Sequence, residues 1–356
     1  MVSPRFHSLR VGEVRRETPD AISVRFEVPD ALRADYAFVQ GQHLTLRTVL
    51  DGEEVRRAYS ICAGVDDGEL RVAIKKVAGG RFSGWAHATL APGARIDVLT
   101  PDGRFHTPLR PEQARHYAGF AAGSGITPML SLVRTTLARE PRSRFTLLYG
   151  NRSVGDSLFQ EALEDIKDRH LARFALYNLF SREPQDIELF NGRLDGFKVK
   201  AFAGTLLPVD TVDEAFVCGP GGMIDDVAAA LVACGMQASH VHVERFGLPA
   251  HPSVPARLPD DAPQAAVTVI ADGMRRSVQF RAGDRSVLDA GLRAGLDLPY
   301  SCKGGMCCTC RARLLEGQVR MERNYSLEPA EVDAGYVLTC QAHPLTPTLV
   351  VSYDER

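Results

Sequence analysis

The sequence lacks any run approaching the roughly 18 apolar residues that a membrane span requires. Its opening, MVSPRFHSLRVGEV, also lacks the apolar stretch of a secretory signal, so a cytoplasmic location is the expectation. Charge of one sign is not in excess. Its 42 Lys and Arg stand against 44 Asp and Glu, a net charge of −2, which leaves no positive field to hold nucleic acid or an anionic membrane. No E-x-x-H pairs at di-iron spacing occur, so oxygen chemistry would have to belong to another protein. The G-x-G-x-x-G dinucleotide fingerprint is missing too. Cysteine is scarce, with eight in 356 residues, yet four of these fall in the ten positions SCKGGMCCTC, residues 301–310.

In a reducing compartment a crowded cysteine loop reads as a metal or redox site before it reads as disulfides. Cys302, Cys307 and Cys310 form C-x4-C-x2-C, and Cys340 follows in VLTCQA, the spacing of a plant-type 2Fe-2S ferredoxin loop with a distant fourth ligand. Thiolates are soft charged donors that stabilise ferric iron, and Gly304 and Gly305 allow backbone N–H groups to approach the cluster sulfurs. The competing reading is structural zinc. Zinc sites usually carry two short clamps, whereas Cys340 stands alone in a strand-like segment. Cys308, between two ligands, is surplus and reads as a small packed residue.

A chain of 356 residues exceeds what one core organises, so two or three domains are expected. VTVIADGMRRSVQF reads as two strands about an Asp-Gly turn, and SVLDAGLRAG as a helix capped by Ser286 and stopped by Gly295. Strand pair, helix and cluster loop together indicate an α+β β-grasp ferredoxin domain. Before it, GLPAHPSVPARLPDDAP holds five prolines and few bulky apolar residues, the composition of a linker.

Farther upstream, HYAGFAAGSGITPMLSLVRTTLARE reads as an apolar strand, a glycine turn and a helix with Thr127 as N-cap and Pro128 at its first position. FTLLYG, FALYNLF and EAFVCG are further buried strands alternating with helical segments, which predicts an α/β doubly wound nucleotide domain. Gly123, Ser124, Gly125, Ile126 and Thr127 then occupy the place where a helix N-terminus holds pyrophosphate. The first hundred residues show short strands and Gly, Asp and Pro turns, which predicts an antiparallel β-barrel. Within it, Arg57-x-Tyr59-Ser60 suits a flavin phosphate, ring face and ring edge, and Gly79-Gly80 leading to Ser83 suits a pyrophosphate.

In order along the chain, R-x-Y-S (Arg57 to Ser60), GG-x-x-S (Gly79 to Ser83), GSGITP (Gly123 to Pro128), CGP (Cys218 to Pro220) and the cysteine loop resemble ferredoxin-NADP reductase type flavoproteins fused to a plant-type 2Fe-2S domain. The resemblance spans essentially the whole chain and implies an FAD-binding β-barrel over 1–110, an NAD(P)-binding domain over 111–247, a linker over 248–262 and a ferredoxin domain over 263–356. It implies that Arg57 binds the FAD pyrophosphate, that Tyr59 stacks on the isoalloxazine, and that Ser60 bonds near N5. Gly80, Arg81, Phe82 and Ser83 would complete the phosphate grip. Gly123, Gly125, Thr127, Gly219 and Pro220 would hold the nicotinamide nucleotide, with Cys218 beside the nicotinamide C4. Glu244-x-Phe246 is similar to the Glu-x-Tyr end of plant reductases, with Phe in place of Tyr and either ring stacking or core packing as its role.

A ribose 2′-phosphate wants arginine and hydroxyl donors; Ser181 and Arg182 are similar to the Ser-Arg pair of NADP reductases and Arg152 adds a further donor, which favours NADPH. Glu183 is the feature that speaks for NADH. A nicotinamide delivers two electrons as hydride and a 2Fe-2S cluster accepts one, so a flavin is needed between them. The implied activity is NAD(P)H oxidation with single electrons passed to a partner oxygenase by a tethered ferredoxin domain. An NADH-dependent reductase of a Rieske or di-iron system is the nearer alternative, and a non-catalytic redox sensor or zinc module the more distant one.

Overall fold

The computed structural model describes residues 5–247, 262 and 264–355. The proline-rich stretch, apart from Ala262, lies outside the described residues. Contacts divide the chain into two units, one mostly of residues 8–247 and one mostly of the C-terminal residues. Among the described residues no helix is long and apolar enough to cross a membrane.

The larger unit begins with six strands: β1 (Phe6–Thr18), β2 (Ala21–Glu27), β3 (His43–Leu50), β4 (Glu53–Ser60), β5 (Leu70–Lys75) and β6 (Arg95–Leu99). They form one sheet in the order β4-β3-β6-β1-β2-β5, and an antiparallel bridge between Ile61 and Val72 joins its two edges. Closure of this kind removes exposed strand edges. Inward-facing Leu9, Val24, Leu44, Leu46, Val72 and Val98 are fully buried, and helix α1 (Arg81–Thr89) contributes Phe82 to the same core.

A parallel sheet follows, from β7 (His116–Ala122), β8 (Arg144–Asn151), β9 (Phe174–Phe180), β10 (Glu214–Cys218) and β11 (Val241–Glu244). Its order is β11-β10-β7-β8-β9, so the chain steps outward from β7 and then crosses back to lay β10 on the other side. That reversal opens a crevice at the carboxyl ends of β7 and β10, where ligands bind in doubly wound sheets. Helices α2 (Ile126–Arg139), α3 (Gln160–Arg169), α4 (Gly196–Ala203) and α5 (Gly221–Ala233) cover the sheet. Alternate strand residues serve two cores, Tyr117, Phe145, Leu147 and Phe216 on one face and Phe120, Leu148 and Val217 on the other.

One local expectation is corrected. Thr127 is inside α2, because residues 123–125 form a single 3₁₀ turn that starts the helix early and makes Gly125 the residue before it. The Thr127 hydroxyl donates to the Ser124 carbonyl at 2.9 Å, bracing the turn from within.

The smaller unit contains β12 (Ala265–Ala271), β13 (Met274–Phe280), α6 (Val287–Arg293), β14 (Arg311–Glu316), β15 (Val319–Met321), α7 (Pro329–Asp333), β16 (Tyr336–Leu338), β17 (Ala342–Pro344) and β18 (Thr348–Ser352). The main sheet runs β13-β12-β18-β14-β16, with β12 and β18 parallel and the other pairs antiparallel. Asp272 and Gly273 both take positive φ, the geometry of a two-residue hairpin turn. Ser286 caps α6, accepting the Asp289 N–H at 3.2 Å, and Gly295 follows the helix at φ +80°.

Ser286→Ala removes that acceptor and is expected to destabilise the C-terminal unit by about 1 kcal/mol. Thermal unfolding followed by loss of cluster colour measures it, and an unchanged midpoint would show the cap contributes nothing.

Candidate functional site

Strand ends assemble the first part of the site. Cys218 ends β10, Glu244 ends β11, and the two are paired in register; β7 flanks β10 with Ala121 opposite Cys218. Ser60, the last residue of barrel strand β4, donates from its hydroxyl to a Glu244 carboxylate oxygen at 3.0 Å. Three residues 184 positions or fewer apart in sequence thus meet at one point. The protein packed around Glu244 raises its carboxyl to about 8, against the opposing effect of the Ser60 hydrogen bond. Burial, reinforced by Glu244, pushes the Cys218 thiol well above its ordinary range. Both shifts favour the neutral form of the group.

The glycine turn meets β10 at very close range. A Cβ on Gly125 would lie 2.0 Å from the Cys218 carbonyl oxygen, so no side chain fits there. Beside this contact opens a cleft of about 800 Å³, lined among others by Gly123, Arg152, Ser181 and Pro220. Arg182 does not line it; Arg193 and Lys75 do, and no motif in the sequence marks either of them. Arg193 reaches the cleft because the segment after β9 loops back. Gln185 and Asn191 exchange hydrogen bonds of 2.7 and 2.8 Å, and Phe180 bridges to Asn191. Arg152 is held by Asp156 at 2.6 Å, and the Glu183 carboxylate accepts the Val154 N–H at 2.9 Å.

On the barrel, Arg57 and Tyr59 share a face of β4, and Arg57 is exposed. The side chains of the next segment are engaged elsewhere. Arg81 bonds Glu53 at 2.7 Å and the Leu50 carbonyl at 3.0 Å, while the Phe82 ring is buried 5.7 Å from that of Tyr59. Ser83 accepts the Val77 N–H at 3.1 Å, fixing the loop in which Gly80 precedes α1. What this segment offers a phosphate is the set of N–H groups at the start of α1. Phe246 follows β11 with its side chain 45% exposed, so it is not a core residue.

In the C-terminal unit the four cysteines form two pairs. The sulfurs of Cys302 and Cys307 are in hydrogen-bond contact, as are those of Cys310 and Cys340. Contact with the Cys307 thiol and with the N–H groups of Gly304, Met306 and Cys307 draws Cys302 down to about 6. Cys310 is pushed up by its Cys340 partner and by burial. Cys340 sits in the turn between β16 and β17, not in a strand, since a turn lets its sulfur face the loop. Among the described residues no three Cys, His, Asp or Glu side chains converge as a single-ion site. Two pairs suit two irons better than one tetrahedral zinc. The Ser301 hydroxyl, buried beside Cys302 without a hydrogen-bond partner, is a donor that a cluster sulfide would satisfy. Gly305 is required at φ +78°, where a Cβ would come within 2.9 Å of the Arg323 carbonyl. Cys308 is buried and donates to the Ser326 carbonyl at 3.4 Å, away from the four.

Comparison with known proteins agrees with this division. An oxidoreductase FAD-binding domain matches residues 8–107, an oxidoreductase NAD-binding domain 120–229, and a 2Fe-2S iron-sulfur cluster binding domain 269–345. The chain is 47% identical to one of the subunits of 1,2-phenylacetyl-CoA epoxidase from Escherichia coli, over 99% of this chain and 98% of that one. It belongs to the ferredoxin reductase components of oxygenase systems. The ferredoxin reductase component of 3-ketosteroid-9-alpha-monooxygenase from Rhodococcus rhodochrous is 34% identical over 97% of this chain and 96% of its own. Phthalate dioxygenase reductase shares the fold, with a TM-score of 0.58 at 23% identity and 98% coverage of both chains. This reductase is accordingly an oxidoreductase with FAD, a 2Fe-2S cluster and a nucleotide-binding domain.

The raised Glu244 carboxyl has a consequence for stability. Its folded pKa lies above its unfolded value of 4.5, so the folded protein binds the extra proton and stability falls as pH rises toward about 8. Glu244→Gln is expected to flatten that slope in thermal unfolding measured from about pH 5 to about pH 9. Parallel curves for the two proteins would show that Glu244 titrates normally.

Proposed function

We propose that this reductase takes hydride from NADPH and delivers single electrons to a di-iron phenylacetyl-CoA epoxidase in aerobic phenylacetate degradation. The observation that carries the reading is the 47% identity to the Escherichia coli epoxidase component across nearly the full length of both chains. The stretches GGRFS, AAGSGITPML, CGPGGMIDD, CKGGMCCTC and NYSLEP carry the same likeness. All eight cysteines are free, which suits the reducing cytoplasm in which we place the protein.

Bound FAD supplies the conversion of a two-electron donor into one-electron steps. In our reading Arg57 and the N–H groups at Gly80–Ser83 hold its phosphates, and Tyr59 and Phe246 cover the ring. Ser60 and Glu244 stand at the edge that accepts hydride, with Glu244 protonated and able to donate through Ser60. Cys218, Gly219, Pro220 and the turn from Gly123 to Thr127 seat the nucleotide. Cys302, Cys307, Cys310 and Cys340 bind the cluster. The domain limits at 110, 247 and 263 are proposed with it.

Preference for NADPH rests on the cleft's charges. Ser181, Arg152 and Arg193 line the cleft, and among the described residues Arg193 is in no ion pair, whereas Glu183 is occupied by a backbone N–H. A free guanidinium suits a 2′-phosphate, and an engaged carboxylate is poorly placed for a 2′-hydroxyl.

Two measurements test this. Mixed with the oxygenase subunits of a phenylacetyl-CoA epoxidase, the reductase is expected to couple NADPH oxidation to loss of phenylacetyl-CoA; coupling only with a Rieske oxygenase would assign it to that system. Arg193→Ala is expected to raise KM for NADPH roughly tenfold, as for loss of one charge-assisted contact, and to leave KM for NADH unchanged. Equal effects on both nucleotides would remove the case for 2′-phosphate recognition.

A further inference from the structure

Gln341, next to the fourth cysteine, is a buried polar side chain that the roles above leave unused, with 6% of its surface accessible. Its Nε2, with two N–H donors, has three acceptors in reach, the Lys303 carbonyl at 3.0 Å, the Cys340 carbonyl at 3.0 Å and Cys340 Sγ at 3.4 Å, so that one N–H is shared. Three acceptors about one nitrogen fix which way the amide faces. The same side chain lies against the cluster loop, since a Cβ on Gly305 would meet Gln341 Cγ at 3.2 Å. Gln341 therefore ties the 301–310 loop to the turn that carries Cys340, two segments that lie outside the strand pairings β14–β16 and β15–β17.

We propose that Gln341 is a positioning residue that raises the reduction potential of the cluster by donating its amide N–H to the Cys340 sulfur. Reduction adds one electron, and the added negative charge spreads onto the sulfurs. A fixed N–H donor stabilises that form more than the oxidised one, so its presence raises the potential and its removal lowers it. The two cysteine pairs differ in this respect. Cys302 is served by backbone N–H groups that no substitution of their side chains removes, whereas Cys340 receives the N–H of a side chain. The potential can thus be adjusted at a single position, without altering a ligand.

The test uses the full chain loaded with flavin and cluster. Gln341→Leu keeps the approximate volume and removes the donor. In an anaerobic redox titration followed by electron paramagnetic resonance, the cluster midpoint is expected to fall by about 59 mV, a tenfold shift in the one-electron equilibrium. The flavin midpoint and the iron content should stay unchanged. An unmoved cluster midpoint at full iron content overturns the proposal. If the Leu variant loses iron, pulsed electron paramagnetic resonance on the unmutated protein with isotope-labelled glutamine side-chain amide decides. A resolved coupling between the reduced cluster and that nitrogen supports the proposal, and its absence overturns it.

Discussion

The approach of Gly125 to the Cys218 carbonyl is the constraint on which the nucleotide half of this reductase depends. With only a hydrogen between them, the start of α2 and the end of β10 form one continuous rim, and the crevice of the sheet opens beside it. The same helix reaches the flavin barrel. Arg139 binds Asp66 through two contacts of 2.8 Å, Arg134 binds Asp67 at 2.6 Å, and Thr135 accepts the Val65 N–H at 3.1 Å. Such pairs are individually weak, about 1 kcal/mol or less when exposed. Three along one helix nonetheless fasten it to the loop that follows β4.

Charge is arranged differently around Ser60 and in the cysteine loop. Around Ser60, desolvation raises the Glu244 carboxyl to about 8 and the Cys218 thiol well above its ordinary range, which disfavours negative charge there. In the cluster loop the backbone turns outward at positive φ, at Lys303, Gly305 and Cys308, and N–H groups gather about a sulfur instead. One place suppresses charge by desolvation and the other surrounds a sulfur with dipoles.

Much of this was legible along the chain because its signals are local. The 2Fe-2S module is recognisable by its cysteine spacing, the Asp-Gly hairpin and the Ser286 cap by turn and cap chemistry, and β7 to β10 by apolar runs of strand length. Other features depend on contacts that a residue's immediate neighbours do not announce. Arg81 and Phe82 look like part of a phosphate grip in sequence, but β3 and β4 supply acids and a carbonyl that engage the arginine, and the barrel core takes the ring. Arg193 carries no signal in its own neighbours; the Gln185–Asn191 pairing that follows Ser181 turns it into the cleft. Thr127 resembles an N-cap, yet the 3₁₀ turn before it moves the helix start forward.

By itself the sequence determined the three kinds of module and their order, since periodicity, turn residues and cysteine spacing act over a few neighbours. The tertiary structure alone decided that Ser60 and Glu244 are joined by a hydrogen bond, that Arg193 rather than Arg182 lines the cleft, and that the Gln341 amide faces Cys340 Sγ. Those outcomes follow from how loops and strand ends are folded against one another, by bonds as long-range as Ser60 to Glu244 and Gln341 to Lys303, and they are not set until the chain has closed around them.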